Sequence, residues 1–104
     1  MACKIIWSRR ALEDLRDIVV YIAAHNQTAA ESFGLRLVSK VDLLTNFPRI
    51  GRVVPEEHDD DIRELIIPPY RIIYRIMPDD EVVAIARIWH GARGEPEIPR
   101  RTED

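Results

Sequence analysis

Between Ile62 and His90 the chain carries three runs rich in β-branched and aromatic residues: IRELII (Ile62 to Ile67), YRIIYRI (Tyr70 to Ile76) and VVAIARIWH (Val82 to His90). Only Pro68-Pro69 and the break MPDDE separate them. Such runs read as strands. Connections this short leave no room for a crossover helix, so the three strands are expected to form an antiparallel meander. One face of that meander needs an apolar cover.

The N-terminal half supplies it. Cys3 to Trp7 reads as a short first strand, and Ser8 as the N-cap of a helix whose Leu12, Leu15, Ile18, Val19 and Ile22 share a face. This helix should reach about His25. Thr28-Ala-Ala-Glu31 has the pattern of a capping box and should open a second helix, with Phe33, Leu37, Val41 and Leu44 as its apolar stripe. Phe47-Pro48 ends it, because proline disfavours helical geometry in the residue before it. Two helices so briefly joined pack as an antiparallel hairpin. The expected architecture is α+β, in the order β-α-α-β-β-β, with the N-terminal helical hairpin on one face of a small antiparallel sheet. Residues 48–61, PRIGRVVPEEHDDD, have no stable period and read as a loop, its acidic part solvated.

The 104 residues allow one compact domain, assigned to 1–94. The segment 95–104 has two prolines and mixed charge and is expected to be a mobile tail. No run approaches the eighteen or so apolar residues of a membrane span, and the start lacks the apolar core of a signal peptide, so a cytoplasmic protein without a membrane partner is expected. Cys3 is the only cysteine, and His25, His58 and His90 stand far apart. No metal and no cofactor is therefore expected. Gly-rich phosphate loops, HExxH and G-x-S-x-G patterns are absent. The net charge of −3 argues against nucleic-acid binding as the main activity.

The basic residues are nonetheless distinctive: all fifteen except Lys4 and Lys40 are arginines, the side chain suited to bidentate capture of carboxylate or phosphate. Strand alternation puts Arg71, Ile73 and Arg75 on one side and Tyr70, Ile72, Tyr74 and Ile76 on the other, which should be the core side. Arg87 and Trp89 share a face, with Ile88 and His90 opposite. Which pair joins the Arg71 side depends on a register that the sequence leaves open. The arginines are either a solvated face or a surface that grips an anion. His90, beside Gly91, can act as acid or base near neutral pH, or can pair structurally with a carboxylate.

The stretches ALEDLRDIVVYIA, AAESFGLRLVSKVDLLTNFPRIGR, IRELIIPPYRIIYRI and IWHGAR, in that order, resemble the RelE/ParE superfamily of toxins from type II toxin-antitoxin modules. The resemblance runs from about Ile6 to Arg93. It implies a growth-arresting toxin held in a hetero-oligomer by a cognate antitoxin whose partly disordered segment wraps the helices and sheet. RelE-like members cut mRNA on the ribosome, whereas ParE-like members poison DNA gyrase. If this chain is a nuclease, the resemblance makes Arg71, His90 and Arg93 its catalytic residues, with the arginines on the scissile phosphate and His90 protonating the leaving oxygen. Arg63, Arg71, Arg75, Arg87 and Arg93 are the candidate contacts to target or antitoxin. Where RelE-like nucleases carry lysines, this chain has EEHDDD, and Pro99 stands near where a tyrosine is usual. Those departures favour a ParE-like gyrase poison, with the ribosome-dependent mRNA endonuclease as the alternative.

Overall fold

A computed structural model describes residues 2–98. The elements are β1 (Lys4–Trp7), α1 (Arg9–Ala23), α2 (Gln27–Asp42), β2 (Arg52–Val53), β3 (Ile62–Ile67), β4 (Tyr70–Ile76) and β5 (Val82–His90). They form a five-stranded sheet in the order β1-β5-β4-β3-β2, and α1 and α2 pack together as a hairpin against it. The expected α+β architecture is present. The meander β3-β4-β5 is antiparallel, but β1 lies parallel to β5, so the sheet as a whole is mixed.

Ser8 begins α1 as expected: its hydroxyl accepts from the Ala11 amide and also donates to the Ala86 carbonyl on β5, so one side chain fixes the helix to the sheet. The helix ends at Ala23, before His25. Its only fully buried residue is Ala11, with Leu15, Ile18, Val19 and Ile22 packed at the edge of the core, while Leu12 is half exposed. The expected stripe is thus shifted, with the small Ala11 at closest approach instead of Leu12. For α2 the cap is Asn26, whose side chain accepts from the Ala29 amide, and Thr28 lies inside the helix. The capping-box reading placed the start two residues late. Phe33, Leu37, Val41 and Leu44 are buried as the stripe required.

The segment 48–61 is not wholly a loop. Arg52–Val53 pairs with Arg63 and Glu64 of β3, which a two-residue strand cannot signal by period. Gly51 lets this segment approach: its amide donates to the Tyr74 hydroxyl, which in turn donates to the Pro48 carbonyl. A Cβ at Gly51 would stand 2.5 Å from the Tyr74 oxygen.

Tyr70, Ile72, Tyr74 and Ile76 face the helices, together with Leu65, Ile67, Val83, Ile85 and Ile88. The register pairs Tyr70 with His90, Arg71 with Trp89, and Ile73 with Arg87, whereas Tyr74 pairs with Ile85. Ala86 is therefore an extra residue, a bulge that moves Arg87 and Trp89 to the face opposite Val83 and Ile85. On that second face Ile62, Ile73 and Trp89 make a smaller core with Val54. Residues 95–98 of the segment expected as a tail lie across it: Pro96 is buried, Ile98 packs on the cluster, and the Glu97 carbonyl accepts from Arg87. Residues 99–104 lie outside the described residues.

Candidate interaction site

Arg71 sits in the middle of the second face, and carboxylates surround it. Its two terminal nitrogens donate to both oxygens of Glu56, at 3.1 and 2.9 Å, and its Nε donates to Glu64. Glu64 is fully buried and accepts from Arg52 through its other oxygen. Side-chain hydrogen bonds from Arg71 hold the Glu56 carboxyl below the usual carboxylate range, and the same bonds raise Arg71. Arg71 and Arg52 are thus balanced by the two carboxylates of Glu56 and Glu64.

The other strand arginines divide. Arg87 is buried and makes a bidentate pair with Asp14 of α1, at 2.8 and 3.0 Å. The same Asp14 carboxylate accepts the Ile88 amide, closing the β5 edge where β1 has ended. Arg63 donates to the carbonyls of Arg49, Gly51 and Asp60, stitching the 49–60 segment to β3. Arg75 lies half-buried on the Arg71 side. Arg93 is exposed, with its guanidinium 4.0 Å from the Trp89 ring centre, in cation-π contact. Trp89 is fixed in turn by its indole N–H, which donates to the Gly94 carbonyl.

His90 does not meet Arg71. As Tyr70's cross-strand partner it belongs to the helix side, its ring edge-on to Tyr70 at 5.2 Å. There the end of β5 and α1 form an open cleft of about 410 Å³ lined by Asp14, Asp17, Ile18, Tyr21, Tyr70, Ile88, His90 and Arg93. The Ala92 amide donates to His90 Nδ1, so in the neutral ring the proton is on Nε2. Burial pushes the Tyr70 phenol up, with a smaller contribution from Tyr21. Of the three residues expected for a nuclease, the cleft brings together His90 and Arg93 and leaves Arg71 behind the sheet. Sequence reasoning missed Asp14, Asp17 and Tyr21, although their three- and four-residue steps place them on one side of α1.

A second surface is apolar. Leu35, Leu43, Phe47 and Ile50 are exposed along α2 and the turn after it, and a groove of about 460 Å³ runs between Leu35, Leu43 and Ile67 with Arg36 and Lys40 at its rim. No group of His, Cys, Asp and Glu among the described residues is arranged to hold a metal ion.

The sequence and the fold match a known class of protein. Residues 5–94 match the family described as "ParE toxin of type II toxin-antitoxin system, parDE". The chain is 38% identical to Toxin RelE2 of Caulobacter vibrioides, covering 86% of this chain and 97% of the relative, and 33% identical to Toxin RelE1 of the same organism, covering 88% and 96%. Among solved structures it is similar to the chromosomal ParDE toxin-antitoxin system of P. aeruginosa, with a TM-score of 0.68 at 22% identity over 86% of this chain and 96% of that one. It is also similar to the toxin-antitoxin complex RelBE2 of Mycobacterium tuberculosis, with a TM-score of 0.58 at 22% identity over 86% and 99%. The class is the toxin of a type II toxin-antitoxin system. Within it, the chain belongs to the ParE toxin family of the RelE/ParE superfamily. Its relatives carry both names, so membership sets the class and leaves the target to the site.

Proposed function

We propose that this toxin arrests growth in the cytoplasm by binding and poisoning DNA gyrase, without catalysis of its own, and that a cognate antitoxin silences it in a hetero-oligomer. The observation that carries this reading is the state of Arg71. A guanidinium that steadies a scissile phosphate must be free to turn its donors to it, and Arg71 has already given three of its five N–H groups to Glu56 and Glu64. A phosphodiester would have to approach Arg71 beside these two carboxylates, on a protein that already bears a net charge of −3. A protein target faces no such obstacle. The test is a supercoiling reaction with the antitoxin-free protein: accumulation of gyrase-cleaved DNA is the expected result, and its absence from a preparation that still arrests growth refutes the reading.

The mRNA endonuclease is kept as a second reading because His90 and Arg93 line one cleft. There a protonated His90 would act as the acid and Arg93 would hold the phosphate. The two readings part at His90→Ala, which at most weakens growth arrest in a gyrase poison, as the loss of one binding contact does, and abolishes it in a nuclease that relies on this acid.

A further inference from the structure

We infer that the cleft between α1 and the end of β5 is a recognition pocket for an acidic peptide segment of the toxin's protein target. This rests on the reading above that the target is a protein.

The cleft has two unlike walls. On one side stand the Arg93 guanidinium and the His90 imidazole, whose neutral ring keeps its proton on Nε2. Ile18 of α1 forms an apolar floor with Tyr70 and Ile88, and α1 also contributes Asp17 and the exposed Tyr21. Asp14 also lines the cleft, but Arg87 and the Ile88 amide already occupy its carboxylate, so Asp17 is the acceptor that remains for a ligand. A carboxylate side chain fits the Arg93 and His90 wall. The same ligand must bring an apolar group for the floor and a hydrogen-bond donor for Asp17, which a peptide supplies through its side chains and its backbone N–H. A bare phosphodiester supplies no donor for Asp17.

The antitoxin is the less suitable occupant. Permanent partners cover apolar surface, and the Leu35, Leu43 and Phe47 side of α2, with Arg36 and Lys40 at its groove, is an exposed apolar stretch of that kind. Transient partners use more polar patches, which describes the cleft.

Two variants at exposed positions, Tyr21→Ala and Arg93→Ala, test the assignment, with thermal melting to verify the fold and immobilised DNA gyrase subunits as the probe. Each variant should bind gyrase roughly tenfold more weakly than the parent chain, the effect of one lost charged or aromatic contact. Equal binding by the parent and both variants overturns the pocket and leaves the gyrase reading intact. If the parent chain itself does not bind gyrase, the gyrase reading falls and growth arrest decides the pocket. Arrest weakened in both variants, with cellular mRNA uncut by the parent, supports a peptide pocket; undiminished arrest overturns it. Parental mRNA cleavage that both variants lose also overturns it, because the occupant is then a nucleic acid.

Discussion

Glu64 is a fully buried carboxylate between Arg71 and Arg52, and Glu56 closes the other side of Arg71. Removing one partner of a buried pair leaves the other charge poorly compensated, so Glu64→Ala should destabilise the fold by about 3 kcal/mol in urea unfolding, the lower end for such a loss because Glu56 remains. Glu56 also sets a pH dependence. Its folded-state pKa is depressed by the Arg71 hydrogen bonds, so the stability it contributes is present above its ordinary value of 4.5 and is lost as pH falls through and below that value. Glu56→Gln should therefore flatten the acid limb of a stability-against-pH curve; an unchanged limb would show that the pair contributes nothing in solution. The sequence marked Arg71 as unusual by type but could not reveal its partners. Glu56 comes from a segment read as a solvated acidic loop, and Glu64 is brought opposite Ile73 only by the β3-β4 register.

At the scale of elements the long strands were legible to the residue, because β-branched runs bounded by Pro68-Pro69 and by Pro78-Asp79-Asp80 leave little choice of ends. Helix starts were legible only in part. Ser8 was read correctly as a cap, whereas Thr28 and Glu31 imitated a cap two residues inside a helix that Asn26 opens. Asn26→Ala should accordingly cost about 1 kcal/mol and Thr28→Ala less than about 0.5 kcal/mol by denaturant unfolding. The reverse order would restore the capping-box reading. The bulge at Ala86 left one signal in the sequence, the apolar phase passing from Val83 and Ile85 to Ile88 with Arg87 between, and it decides that Trp89 and Arg87 leave the helix side while His90 stays. That single extra residue separates His90 from Arg71.

For the whole molecule, the superfamily resemblance covered nearly the same span that the family match does, about Ile6 to Arg93 against residues 5–94. That agreement rests on element order, which is a global property and more specific than any one stretch. Target choice is not encoded that way. It depends on whether the arginines are available, and the fold commits Arg63, Arg71 and Arg87 internally while presenting Arg93 over Trp89. A toxin of this kind should show only a weak dependence of target binding on salt, because few phosphates can be contacted. The most direct measurement of the central claim is the DNA product of a gyrase supercoiling reaction with purified, antitoxin-free protein, run beside the His90→Ala variant. If gyrase is the target, cleaved DNA accumulates with both proteins, with more of the variant needed because His90 lines the proposed pocket. Intact DNA with both, together with ribosome-dependent mRNA cleavage by the parent chain that His90→Ala loses, would contradict it.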